Sequence, residues 1–340
     1  MRNRWKVLVA SLVGLFVVPV PVSYVVEGLR SAPAAPATLT WAPDIPIRYV
    51  NVNGVTLRYV KVGQGPPLVL LHTLRTQLDM YQRVIPELSR DFEVYALDYP
   101  GHGFSDIPKV EYTAEFFIDS VAGFLERVNV KRATILGESI GGTIALVLAA
   151  RHNPRVERVI AVNPYDYDGG RGLRRSSGLA NLVFGLNNVP VVGGTVTRFR
   201  QYSVFKRIME GGVFHKDALP PALLREMYEV GNRPYHYTAF ISLVAHWAEW
   251  EKVRVEYAKI NLPVQLVYGD HDWSRPEERE ANLRSIPGAQ ITIMKDAGHF
   301  FCLDAPEELT QIILNFAHAN SITPTRKEAR SGPRAGSRAH

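Results

Sequence analysis

Gly137-Glu138-Ser139-Ile140-Gly141 decides the reading of this chain. The β-branched run Ala133-Thr134-Ile135-Leu136 leads into it, and an apolar, Ala-rich segment from Ile140 to Ala150 leads out. That pattern predicts a strand, a tight turn and a helix, with Ser139 at the tip. Such a turn holds its serine in a strained backbone conformation and lifts the side-chain oxygen clear of the sheet. Glycine is needed at 137 and 141 because a side chain at either would collide where strand and helix pass close together. The competing reading is a serine that merely N-caps the following helix. What separates the two is whether an acid and a histidine follow in a matching context.

Both follow. Leu262-Pro263-Val264-Gln265-Leu266-Val267-Tyr268 reads as a buried strand and runs into Gly269-Asp270-His271-Asp272. A second short strand, Gln290-Ile291-Thr292-Ile293-Met294, leads to Asp296-Ala297-Gly298-His299. The order serine, acid, histidine, each at a strand end, resembles the serine-nucleophile, esterase- and lipase-like branch of the α/β-hydrolases. The resemblance runs from about Arg48 to Asn320 and includes the segment Asp98-Tyr99-Pro100-Gly101-His102-Gly103-Phe104-Ser105, similar to the family's D-x-x-G-x-G-x-S. It implies an α/β fold with a mostly parallel eight-stranded sheet, flanking helices and an inserted helical cap.

The resemblance also implies roles. Ser139 would attack a carbonyl, His299 would take and return the proton, and a loop aspartate would fix the imidazole tautomer. Asp270 and Asp272 both lie in the loop; relatives with Gly-x-x-Asp here use the last aspartate, which points to Asp272. Other relatives place the acid after the preceding strand, where this chain has Asn163, with Asp166 and Asp168 just beyond. Asparagine cannot carry the charge. His271 reads as a solvated loop residue, and His72, Asp98 and His102 as groups that knit the loops beneath the site. The oxyanion hole would be built from the N–H groups of Leu74 and Ile140, each donor contributing about 3–4 kcal/mol to the transition state. Here the chain departs from the pattern. It has His72-Thr73-Leu74-Arg75, with Thr73 where relatives carry a glycine. A variant loop of the same geometry is expected, and a displaced loop is the alternative. Arg75, near the site, would attract an anionic substrate.

The rest of the core follows a βα rhythm. Val50 to Val62 reads as a hairpin around Asn53-Gly54. Strands near 67–71, 93–98, 133–137, 157–162, 263–268 and 290–294 alternate with helices near 79–89, 113–128, 140–151 and 306–319, which implies a parallel sheet covered on both faces. The interval from about 164 to 257 breaks the rhythm, with helical stretches such as Ala222 to Val230 and Ala239 to Trp250. It resembles the cap of the family, which supplies most of the substrate pocket. His236 and His246 have no ligand spacing, so no metal is expected.

The formal charge of the 340-residue chain is +6, but residues 1–6 and 321–340 carry more than all of it. The remainder is near neutral, which excludes a nucleic-acid partner. The single cysteine, Cys302, permits no intramolecular disulfide and reads as packing. Three basic residues precede an uncharged, mostly apolar run from Val7 to Val26, long enough as a helix to cross a bilayer core. Residues 1–30 are therefore expected to be a single-pass membrane anchor with the hydrolase domain on the extracytoplasmic side. Cleavage near Ala34, giving a secreted or periplasmic protein, is the alternative. Residues 31–46 read as a Pro/Ala-rich linker, 47–320 as the hydrolase domain and 321–340 as a disordered basic tail.

Serine at 139 narrows the chemistry. Relatives that open epoxides or displace halide use aspartate at this position, whereas serine suits acyl transfer. The expectation is a membrane-anchored serine hydrolase of small-molecule carboxylic esters or related acyl compounds, needing no cofactor. The alternatives are a C–C bond hydrolase with the same triad, or a non-catalytic envelope protein on the same fold.

Overall fold

The computed structural model describes residue 14 and residues 18–187 and 189–319. Eight strands form one sheet: β1 (Ile47–Val52), β2 (Val55–Val62), β3 (Pro67–Leu71), β4 (Glu93–Leu97), β5 (Ala133–Glu138), β6 (Val156–Val162), β7 (Val264–Gly269) and β8 (Gln290–Met294). Their order is β1-β2-β4-β3-β5-β6-β7-β8. The pairs β1/β2 and β2/β4 are antiparallel and all others parallel. The β1–β2 turn is the expected one: Asn53 and Gly54 both have positive φ, 51° and 88°, as a two-residue hairpin of matching twist requires.

The sheet has a core on each face, and β3 shows why. Val69 and Leu71 belong to one buried cluster and Leu68 and Leu70 to the other, the period-two alternation of a strand covered on both sides. Among the described residues, the helices before the cap are α1 (Pro19–Gly28), α2 (Ala114–Arg127) and α3 (Ile140–Ala150). Every residue of α3 is buried, so it is apolar all round rather than amphipathic. It lies against β5 and β6 and starts at Ser139.

Between β6 and β7 the chain leaves the sheet and builds the cap from α4 (Gly178–Asn187), α5 (Val192–Arg198), α6 (Tyr202–Met209), α7 (Pro221–Val230) and α8 (His236–Ala245). The expected helix from Ala239 to Trp250 is broken. It stops at Ala245, and a short turn, Glu249–Lys252, follows. The break turns Glu249 to accept a hydrogen bond from the first N–H of α2, Ala114, at 3.0 Å, and buries Trp250. The expected helix at 79–89 likewise resolves into two short turns, Leu78–Tyr81 and Ile85–Leu88.

After the cap come α9 (Pro276–Ser285) and α10 (Pro306–Ala319). The segment read as a linker, 31–46, lies partly against the domain: Leu39 and Ile45 are buried, and the Trp41 indole donates to Asp79 at 2.8 Å. Half of the apolar run from Val7 to Val26, and the basic tail at 321–340, lie outside the described residues. Among the described residues, no helix is long and apolar enough to cross a membrane.

Candidate active site

Ser139 sits between β5 and α3 with φ 60° and ψ −121°, a backbone region that a side chain enters only when its surroundings impose it. The glycines explain how the turn closes. A Cβ on Gly137 would lie 2.0 Å from the Gly141 carbonyl oxygen, and one on Gly141 would lie 2.3 Å from that of Leu71. The serine side chain caps nothing on the helix. Its Oγ instead donates to His299 Nε2 at 2.9 Å, which removes the N-cap reading.

His299 Nδ1 donates in turn to Asp272 at 2.5 Å, and both side chains are fully enclosed. Burial raises the Asp272 pKa, but the His299 imidazole and two bonds from Ser274 outweigh it, leaving the carboxyl below its ordinary value. The Ser274 N–H donates to the second carboxylate oxygen at 2.9 Å, and the Ser274 hydroxyl does the same. Arg279, on α9, holds Ser274 by its hydroxyl at 2.9 Å and its carbonyl at 2.8 Å. A polar helix thus braces the acid loop.

The other aspartates lie elsewhere. Asp166 accepts from Tyr257 at 2.7 Å and Asn282 at 2.8 Å. Asp168 faces Arg171 and Arg175. Asp270 accepts from the Ala297 N–H at 3.4 Å. Asn163 has a different job: its amide donates to the Gly298 and His299 carbonyls, both at 3.0 Å, and accepts from the Gly269 N–H at 3.0 Å. It ties the end of β6 to both loops that carry Asp272 and His299. Trp273, which the sequence reading did not single out, stacks on the His299 ring at 3.7 Å and 11°; its indole is fixed by the Gly211 carbonyl at 2.8 Å. The only signal for it in sequence was its place next to Asp272.

Opposite the serine, His72 Nδ1 donates to its neighbour's carbonyl, that of Thr73, at 2.7 Å, and Nε2 accepts from the Tyr99 N–H at 3.3 Å. Burial drives the His72 pKa down to about 3, so the ring is neutral and serves as a clamp. His102 is buried and clamped likewise, Nδ1 3.0 Å from the Pro100 carbonyl. Thr73, standing in for glycine, does not take a left-handed conformation; the positive φ falls on Arg75, at 65°. Among the described residues, the N–H groups of Leu74 and Ile140 have no protein acceptor. Below this loop Asp98 accepts from the Leu78 and Phe104 N–H groups at 2.8 and 2.9 Å, and pairs with the buried Arg58 at 3.1 Å.

A cavity of about 400 Å³ opens over Ser139, within the range of small-molecule sites. Cap residues from α4 through the α5–α6 junction to α6 make most of its wall, among them Val183, Phe184, Val204, Phe205 and Ile208, with Phe240 from α8. Thr73, Leu74 and Arg75 close the near side. His271 is exposed, as expected for a loop residue, beside Asp270 and Asp296; donor atoms of the three lie within 4.8 Å of one another. They are the described residues best placed to hold a metal ion, but they face solvent outside the cavity.

Comparison with known proteins agrees with this fold. The family described as alpha/beta hydrolase fold matches residues 66–306. An uncharacterised hydrolase of Bacillus subtilis is 27% identical over 80% of this chain and 97% of its own. A 2-hydroxymuconate semialdehyde hydrolase of a Pseudomonas species is 24% identical over 79% of this chain and 93% of its own. Among solved structures, a membrane phospholipase A superposes with a TM-score of 0.68 at 23% identity, covering 95% of this chain and all of its own.

Proposed function

The chain belongs to the alpha/beta hydrolase fold family, and from that premise we propose that it is a serine hydrolase of carboxylic esters or related acyl compounds. The observation that carries this reading is the pair of hydrogen bonds, Ser139 Oγ to His299 Nε2 at 2.9 Å and His299 Nδ1 to Asp272 at 2.5 Å, beneath an apolar cavity. The Asp272 bond fixes the tautomer with Nδ1–H, which leaves the Nε2 lone pair facing the serine. Ser139 attacks the carbonyl carbon as its proton passes to Nε2. The oxyanion forms toward the N–H groups of Leu74 and Ile140. His299 then hands the proton to the leaving alcohol, giving the acyl-enzyme. Water attacks that ester with the same histidine as base and releases the acid.

Labelling with a fluorophosphonate, wild type against Ser139→Ala, followed by a p-nitrophenyl ester chain-length series, tests the reading. Labelling of the wild type alone, with ester turnover, supports it. A folded wild type that neither labels nor turns over esters ends it.

A second reading, hydrolysis of a C–C bond in a vinylogous diketone, is favoured by the name of the Pseudomonas relative. Product analysis on such a diketone separates the two.

The membrane placement belongs to the same proposal. Helix α1 is inside out. Val18, Val22, Val25 and Leu29, spaced to form one stripe, are exposed, whereas Ser23, Glu27 and Arg30 on the other side bond to the cap. An apolar stripe facing outward, continuous with the apolar run that precedes it, suits a lipid surface better than water. Detergent-free fractionation tests it: activity in the soluble envelope fraction with a mature start near Ala35 would refute the anchor.

A further inference from the structure

Arg75 brings a positive charge to the cavity wall, and among the described residues no carboxylate pairs with it. Among the described residues its only hydrogen-bond partner is His236, with Nη1 2.7 Å from Nδ1. That imidazole is buried, and desolvation together with the surrounding guanidinium groups holds its pKa well below the usual range. It offers a lone pair and no charge.

The other neighbours of the guanidinium are ring faces, Phe240 at 4.9 Å and Phe205 at 5.9 Å, which attract it through the ring quadrupole but carry no charge. Arg200, the nearby ionised group, is a second cation and is already bound by Glu27. Burial, and then Arg200, push the Arg75 pKa down to about 9. Taking a cation even partly out of water is costly unless an anion meets it, and neither ring faces nor a neutral imidazole supply one. The backbone adds to the cost, since φ at Arg75 is 65°, a left-handed conformation unfavourable for a residue other than glycine. A packing arginine has no use for either expense. An arginine waiting for an anion has a use for both.

We propose that Arg75 recognises an anionic group, carboxylate or phosphate, on the ester that Ser139 cleaves, so that the substrates are anionic amphiphiles whose chain fills the apolar cavity. The inference rests on the ester-hydrolase reading above. Arg75 follows Leu74 directly, which keeps the bound anion at the reactive end of the cavity. A guanidinium presents parallel N–H donors that suit either oxyanion, and among the described residues none of its remaining donors is engaged.

The test compares matched pairs of esters. One pair is the p-nitrophenyl monoester of a dicarboxylic acid against the p-nitrophenyl ester of the monocarboxylic acid of equal length, with the anion on the acyl side. The other is 1-acylglycerol-3-phosphate against 1-acylglycerol, with the anion on the alcohol side. In the wild type, kcat/KM for the anionic member of at least one pair should exceed that of its neutral partner by about tenfold to a hundredfold. Arg75→Met should bring that ratio to about one, and Arg75→Lys should keep part of it. A purely structural role would lower both members together and leave the ratio intact. A wild type with no anionic preference in either pair, or a preference that survives Arg75→Met, overturns the inference while leaving ester hydrolysis standing. Turnover of neither member of either pair removes the ester reading and this inference with it.

Discussion

Glu138 precedes the serine and is fully buried. Neither of its oxygens has a hydrogen bond of good geometry. Burial pushes its pKa up to about 8; the Cys302 thiol and the N–H groups of Phe301 and Cys302 pull the other way and do not prevail. The folded protein therefore keeps this proton between about pH 4.3 and 8, where an unfolded chain has lost it. The contribution of Glu138 to stability falls with rising pH across that window, by up to about 1.4 kcal/mol per unit, and levels off above it. Glu138→Gln removes this component. Urea melts of the two proteins at pH 5, 6.5 and 8 should show the variant gaining on the wild type as pH rises; parallel profiles would count against a protonated Glu138. At this scale the sequence was most legible where chemistry is rare: a serine between glycines and a histidine after a strand have few other uses. Trp273 and Asn163 were not legible. Their work is stacking and bridging, which depends on where three loops meet and leaves no periodic trace.

Elements were legible in proportion to their apolar pattern. The strands were readable because both faces of the sheet are covered, which makes runs such as Leu68-Val69-Leu70-Leu71 continuous. Helix α9 was not, because it buries Arg279 toward the Asp272 loop and Asn282 against Asp166, and has no apolar stripe to detect. The loop from His72 to Arg75 was legible as a departure, yet its resolution was not: Thr73 replaces the glycine without a left-handed conformation, and the positive φ falls on Arg75. What holds that loop is an ion network. Arg58 of β2 binds Asp79 at 2.8 Å and Asp98 at 3.1 Å, with side-chain exposures of 0%, 3% and 0%. Asp98 then fixes the N–H of Leu78, just after the loop. Arg58→Met leaves two buried carboxylates without their cation, a change that costs about 3–5 kcal/mol. The urea midpoint should fall accordingly. Arg58→Met/Asp79→Asn/Asp98→Asn should recover part of the loss, because no buried charge is then stranded; no recovery would mean that packing, not charge, is what Arg58 supplies.

At the scale of the whole molecule, the N-terminal helix and the cap form one mechanical unit. Glu27 binds Arg200 through both oxygens, at 2.6 and 3.1 Å. Arg30 reaches the carbonyls of Arg198 and Arg200 at 3.0 and 2.8 Å, and the Arg198 guanidinium lies 3.8 Å over the Tyr24 ring. These contacts grip the junction of α5 and α6, the stretch from Val196 to Val204 that walls the cavity. Charge-assisted bonds to half-buried partners are the stronger kind, and the cap's own contacts to the junction are neutral or longer, such as Tyr228 to the Arg200 carbonyl at 3.3 Å and Thr197 to Asn187 at 3.2 Å. A device that closes a cavity from outside the domain should therefore act on the cap and not on the sheet. Glu27→Gln with Arg30→Ala should speed amide hydrogen exchange across residues 196–204 by about tenfold or more, with β5 and α3 unchanged. The KM for long-chain esters should rise more than kcat falls, because the chain-binding wall loosens while Ser139, Asp272 and His299 keep their bonds. Exchange that rises equally in β5 would mean that α1 stabilises the whole domain. Exchange that does not rise at 196–204 would mean that the cap keeps its shape without α1, and that the helix serves only the surface it faces.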